Sequence, residues 1–104
     1  LVRARGLGDV YKWQLNIGGY ISFSGLVTYT KAENTRRAAV FVPEDRMVIE
    51  TDSPYLTPSS KPRGTKNQPA FVKHNAKALA SLRGMDYDSV VTQTLNNFRS
   101  LFKI

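Results

Sequence analysis

Glu50 and Asp52 lie two positions apart in the run Glu50-Thr51-Asp52-Ser53-Pro54-Tyr55-Leu56. If that run closes a β-strand, the strand period of two puts both carboxylates on one face. Asp52 then stands at the strand's C-terminal end, where parallel α/β folds gather their catalytic groups. A carboxylate there is suited to bind a divalent cation or to accept a proton from metal-bound water. The competing reading makes Asp52 a turn or helix-cap residue before Ser53-Pro54, and Glu50 an interior hydrogen-bonding group. Downstream, Arg63-Gly64-Thr65-Lys66-Asn67 joins two cations to a flexible glycine. Arg63 could grip a phosphate bidentately and Lys66 could act as a point charge. Asn67 could equally staple a loop as a turn or cap residue.

Other chemistry finds little support. His74 is the only histidine. It lies inside a helical pattern, far from a strand end, which disfavours a ligand or catalytic role. No Ser-His-Asp set, zinc motif or phosphate-cradling glycine loop can be assembled. Gly18-Gly19 precedes a strand and is in the wrong context for a dinucleotide loop. With no cysteine, a disulfide framework and a thiolate metal site are excluded, and a reducing compartment such as the cytoplasm is expected, or the nucleus in a eukaryote.

The elements that must position these residues follow from pattern. Asp9 is a good N-cap for a short helix through Val10, Trp13, Leu15 and Ile17, stopped by Gly18-Gly19. Residues 20–24 alternate as a strand, and Gly25 ends it. Thr30 could cap a helix to about Val42, before Pro43. Residues 46–51 read as a mostly apolar strand buried on both faces. Residues 52–69, rich in proline, serine and glycine, form a long loop of the kind that is often functional. A helix follows from Pro69 to Arg83 with Gly84 as its stop. Val72, Ala76 and Leu79 form its apolar stripe, and Lys73, Lys77 and Ser81 its polar face. Asp86 caps a last helix ending in Phe98, Leu101 and Phe102. Strands alternating with helices predict parallel βα units.

The chain has 104 residues and a formal net charge of +7. That is enough for one small domain, and the charge favours polyanionic partners. No acidic residue falls between Asp52 and Asp86, while Lys61, Arg63, Lys66, Lys73, Lys77 and Arg83 do. A solvated helix face is the plain alternative to an anion-binding surface. No apolar run reaches membrane-spanning length, so no membrane association is expected. Two parallel strands leave unpaired edges, and the sequence lacks an initiating methionine. Both lead to the expectation of a segment of a longer protein, with exposed apolar edges and low solubility when isolated.

Taken together, these residues resemble the C-terminal third of the TatD family of metal-dependent deoxyribonucleases. Residues 19–25 resemble the penultimate barrel strand. Val42-Pro43-Glu44-Asp45-Arg46 and the run from Val48 to Leu56 resemble the last strand and its signature. Residues 62–69 resemble the following loop, residues 72–84 its helix, and Asn96 to Phe102 the closing helix. The resemblance holds from about residue 10, whereas residues 1–9 match poorly, within a single partial domain over 1–104. It implies an α/β fold, the C-terminal fragment of a TIM (β/α)8 barrel carrying about strands 7 and 8. It also implies hydrolysis of DNA phosphodiester bonds with a divalent cation, expected to be magnesium. Asp52 is then a catalytic residue and metal ligand, Arg63 and Lys66 hold substrate, and Glu50, Ser53 and Asn67 support the site. The family's histidine ligands have no counterpart here. The remainder of the barrel is expected to lie outside this chain, which should be inactive alone. Two alternatives stand beside this reading: a related hydrolase of the same superfamily with a non-nucleic substrate, and a non-catalytic nucleic-acid-binding module using the basic loop and helix.

Overall fold

The structure is a computed structural model that describes residues 2–3, 15–16, 18–51 and 53–104. Three short strands form one parallel sheet in the order β1-β2-β3: β1 (Val2–Arg3), β2 (Ile21–Phe23) and β3 (Met47–Ile49). Val2 pairs with Ile21, Ile21 with Met47 and Phe23 with Ile49. β1 is absent from the expected pattern because two residues carry no readable periodicity. Among the described residues three complete α-helices pack with the sheet: α1 (Glu33–Phe41), α2 (Val72–Arg83) and α3 (Tyr87–Phe102). The parallel arrangement follows the predicted alternation of strands with helices. Among the described residues no strand pairs with the outer edge of β3.

The core is one cluster. Ile21 and Phe23 from β2 and Met47 from β3 pack with Ala38, Ala39 and Val42 of the α1 region, Ala76, Leu79 and Ala80 of α2, and Val90 of α3. Every residue of β2 is buried, as expected for a strand covered on both faces. Burying a side chain such as Ile21 or Phe23 contributes about 1.5–3 kcal/mol. The stripe predicted for α2 holds at Ala76 and Leu79, which are buried, while Val72 is half-buried; Lys73, Lys77 and Ser81 are exposed. α3 differs, because Val91, Leu95, Phe98 and Phe102 remain exposed along one side. With Val48, Ile49 and Val72, the first three line an open apolar groove of about 310 Å³ beside β3.

Helix ends depart from expectation where local hydrogen bonding decides them. α1 begins at Glu33, after a turn at Thr30 and Lys31, so Thr30 is not its cap. Its C-terminal carbonyls on Ala39 and Val42 accept from Arg83 Nη1 across the core. Without that cation these groups would be orphans of the helix end. Gly25 does not simply end a strand; it opens a 3-10 turn, Gly25–Thr28, capped by Ser24 Oγ, which accepts from Leu26 N at 3.4 Å. Gly84 stops α2 in the left-handed region at φ +66°. Asp86 caps α3, accepting from Ser89 N at 2.9 Å and Ser89 Oγ at 2.8 Å. These bonds hold its carboxyl below the usual aspartate range. Of the first predicted helix only Leu15 and Asn16 are described, and both are helical; Asp9, Val10, Trp13 and Ile17 lie outside the described residues.

Arginine also fixes the entry to the sheet. Arg46, just before β3, donates from Nε to Gly19 O at 2.8 Å and from Nη2 to Leu15 O at 2.7 Å. The segments leading into β2 and β3 are therefore tied together. Asn97 of α3 completes this end, donating Nδ2 to Glu44 O at 2.6 Å and Met47 O at 2.7 Å.

Candidate functional site

The C-terminal ends of β2 and β3 lie side by side, because Glu50 N donates to Phe23 O at 2.9 Å just beyond the last paired residues. Glu50 is half-buried at this exit. Asn75, fully buried in α2, donates Nδ2 to Glu50 O at 2.7 Å. One residue on, Thr51 O accepts from Asn67 Nδ2 at 2.6 Å. The same amide donates to Tyr55 O at 2.7 Å, and Asn67 N donates to Pro54 O at 3.0 Å. Asn67 Oδ1 in turn accepts from Gln68 N at 3.0 Å. Asn67 is 5 % exposed, so its bonds are made where an unpaired carbonyl would cost about 1–3 kcal/mol. It acts as a clamp on the backbone before and after position 52.

A second set of contacts holds the loop to the turn after β2. Ser59 N donates to Thr28 Oγ1 at 2.8 Å, Ser59 Oγ donates to Thr28 O at 2.7 Å, and Tyr29 Oη donates to Thr57 O. Thr57 Oγ1 reaches Thr65 O at 2.7 Å, closing the loop on itself. Gly25 permits the approach: a Cβ there would stand 1.9 Å from Leu56 O. The long irregular segment predicted from composition is thus internally bonded backbone rather than a loose connection.

The predicted site residues fall into distinct groups. Asp52 lies outside the described residues. Ser53 is exposed, and its hydroxyl donates to Thr51 Oγ1 at 3.0 Å. Arg63 and Lys66 are exposed on either side of Gly64, which adopts φ +88° in the turn closed by Thr65 N to Pro62 O at 3.1 Å. Their side chains form no hydrogen bond or ion pair among the described residues. His74 faces the loop from α2, with Nδ1 3.4 Å from Ser60 Oγ and its ring edge-on to Phe71 at 5.8 Å. Its imidazole is pushed below the usual histidine pKa, first by burial and then by the ammonium groups of Lys61, Lys73 and Lys77. That setting suits a neutral ring among cations, not a ligand gathered with carboxylates.

A divalent cation needs several oxygen or nitrogen ligands around one point. Among the described residues no group of three His, Cys, Asp or Glu side chains could hold one. They do not form a metal centre by themselves. The sequence reading missed Asn75, Asn97 and Gly25. Asn75 had a signal in the pattern: an amide beside Ala76 in a helix whose neighbouring apolar positions are buried. Gly25 had none, because its role is set by a chain segment about thirty residues away.

A parallel βα array with a bonded loop beyond its strand exits belongs to the α/β class, in which sites gather at the C-terminal strand ends. The comparisons name the family. The model of the TatD related DNase family matches residues 5–103. The uncharacterized metal-dependent hydrolase YcfH of Escherichia coli K12 is 49% identical over 90 residues, spanning 86% of this chain and 34% of that protein. The 3'-5' ssDNA/RNA exonuclease TatD of Edwardsiella piscicida is 34% identical over 94 residues, spanning 86% of this chain and 36% of its own length. The crystal structure of YJJV, a TatD homologue from Escherichia coli K12, superposes with a TM-score of 0.78 at 28% identity, covering 86% of this chain and 34% of that one. The chain belongs to the TatD related DNase family. It spans about a third of the length of these relatives.

Proposed function

We propose that the chain forms the C-terminal part of a metal-dependent hydrolase that cleaves phosphodiester bonds of single-stranded nucleic acid. The observation that carries this reading is the clamp at the β3 exit. Asn75 and Asn67 fix the backbone of Glu50 and Thr51, Asn67 fixes the backbone of residues 54 and 55, and Asp52 stands between them in sequence. Asp52 supplies one ligand of a divalent cation, with magnesium the expected ion, and the other ligands come from outside this chain. Bound there, such a cation would neutralise phosphate charge and activate water. Arg63 and Lys66, whose guanidinium and ammonium groups form no ion pair among the described residues, hold the substrate's phosphates from the loop beyond the clamp. Glu50 and Ser53 support the ligand-bearing segment from either side. The substrate class follows the Edwardsiella relative, a 3'-5' ssDNA/RNA exonuclease. The outer edge of β3, unpaired among the described residues, and the exposed apolar side of α3 support a larger barrel of which β2 and β3 would be the last two strands. A reducing compartment, the cytoplasm, fits a chain without cysteine.

A chimera tests this. The homologous C-terminal segment of the Edwardsiella exonuclease is replaced by this chain, and nucleotide release from a single-stranded oligonucleotide is followed with and without magnesium. The chimera should be active and magnesium-dependent, and Asp52→Ala should reduce release by more than the roughly 10–100-fold typical of groups outside the ligand set. An active chimera indifferent to Asp52→Ala would overturn the assignment. The 104-residue chain alone should release nothing.

A further inference from the structure

Given the nucleic-acid substrate proposed above, we infer that Lys61, Lys73 and Lys77 form a cationic ridge around His74 that holds the phosphate backbone of the strand away from the cleaved bond. Three observations converge on it. Lys61 Nζ sits 4.5 Å from the centroid of the Phe71 ring, and Phe71 packs edge-on against His74. The first turn of α2 and the loop end at Ser60 and Lys61 therefore share one surface. Lys73 and Lys77 are exposed and lie one helical turn apart on α2, where two like charges repel by about 0.2–0.5 kcal/mol. Nothing offsets that repulsion: none of the three lysines forms an ion pair among the described residues, and no acidic residue occurs between Asp52 and Asp86.

The other two helices behave differently. α1 carries Glu33 with Arg36 and Arg37, and α3 carries Asp88 with Arg99. Mixed charge is the ordinary solution for a solvated helix face, so a purely cationic face on α2 asks for an anion. His74 reports the same field, since all three ammonium groups lower its pKa. Its Nε2 is buried with no hydrogen-bond partner among the described residues, so the ring leaves the surrounding positive charge uncompensated. The ridge also continues in sequence into Arg63 and Lys66, so one strand running from the β3 exit can meet both sets. Lysines acting as point charges on phosphate confer affinity without base selectivity.

The test is equilibrium binding of the 104-residue chain to a labelled twelve-nucleotide oligothymidylate across a salt series. The variant Lys61→Glu, Lys73→Glu, Lys77→Glu is compared with the control Lys31→Glu, Arg37→Glu, Arg99→Glu. Both lower the net charge equally, and all the substituted residues except half-buried Lys61 are exposed. Circular dichroism of each variant establishes equal helix content. The ridge variant should bind more weakly than the control, and its log K against log salt should be shallower than that of the parent by about 2, at about 0.7 per phosphate contact. Equal weakening in both variants, as an unfolded or merely basic chain would give, overturns the proposal. So does tighter association with phosphatidylserine vesicles than with the oligonucleotide. Failure of the chimera with intact ridge binding would count against the hydrolytic reading alone.

Discussion

Two neighbouring parts of the molecule handle polar groups in opposite ways. At the β3 exit each of Glu50, Thr51, Pro54 and Tyr55 has its carbonyl matched to a donor on Asn67 or Asn75. On the loop and helix just beyond, Arg63, Lys66, Lys73 and Lys77 are left without ion pairs among the described residues. The first region spends its polar groups internally and becomes a fixed frame. The second keeps its charges for something outside the chain. The contrast separates positioning from binding: substitutions in the frame should alter stability and geometry together, while substitutions on the ridge should alter affinity and leave stability within about 0.5 kcal/mol, as is usual for surface positions.

The largest effect on the frame should come from Asn67. Removing its amide leaves the Thr51 and Tyr55 carbonyls unpaired, at about 1–3 kcal/mol each. In the chimera, Asn67→Ala should lower the unfolding free energy by about 2–4 kcal/mol and reduce activity by about 10–100-fold. Asn67→Asp separates hydrogen bonding from shape. An aspartate of nearly the same volume is acceptor-only and cannot donate to either carbonyl, so it should be as damaging as alanine. A tolerated Asn67→Asp in denaturant melts would show that volume, not donation, holds the loop. Lys66→Ala in the same melts should change little.

Gly25→Ala probes the same frame from the other side. The new Cβ would meet the Leu56 carbonyl oxygen, which is backbone and cannot rotate away. Overpacking of this kind destabilises by about 1–3 kcal/mol, less than loss of the Asn67 clamp because the loop can shift as a body. That shift moves the segment next to position 52, so activity of the chimera should fall more than its midpoint of thermal unfolding suggests. Unchanged activity with a lowered midpoint would confine Gly25 to stability.

Much of this organisation was legible in sequence, for reasons tied to particular residues. Gly84 and Asp86 mark helix ends through local backbone chemistry, and both act as read. The strand expected over residues 46–51 is present at 47–49, and it and the stripe of Ala76 and Leu79 follow from period and burial. What stayed hidden depends on contacts between distant segments. Asn97 looks like an ordinary helix polar residue until the strand carbonyl it serves is in place, and the position of Asn75 beside the buried stripe does not reveal that it serves the Glu50 carbonyl. Arg46 and Arg83 look like surface charge, yet their guanidinium groups fasten backbone carbonyls from 27 to 44 residues away. Gly25 acquires meaning only when residue 56 arrives against it. The pairing of Val2 and Arg3 with β2 was invisible because two residues carry no pattern.

The smallest effect belongs to the other region and is read by titration. His74 is the sole histidine, so its ring signals are unambiguous. Burial, and then Lys61, Lys73 and Lys77, place its folded pKa below the ordinary 6.5. Folding therefore favours the neutral ring. The associated stability is fully present above pH 6.5 and is lost as the pH falls through the depressed folded value. Proton NMR of the imidazole should show a midpoint below 6.5, and Lys61→Met with Lys77→Met should move it upward by removing nearby positive charge. Burial is the leading cause, so the midpoint should remain below 6.5 in that variant. A midpoint unmoved by loss of both lysines would mean that their charges do not converge on the ring, and the ridge would lose the feature that distinguishes it from a solvated helix face.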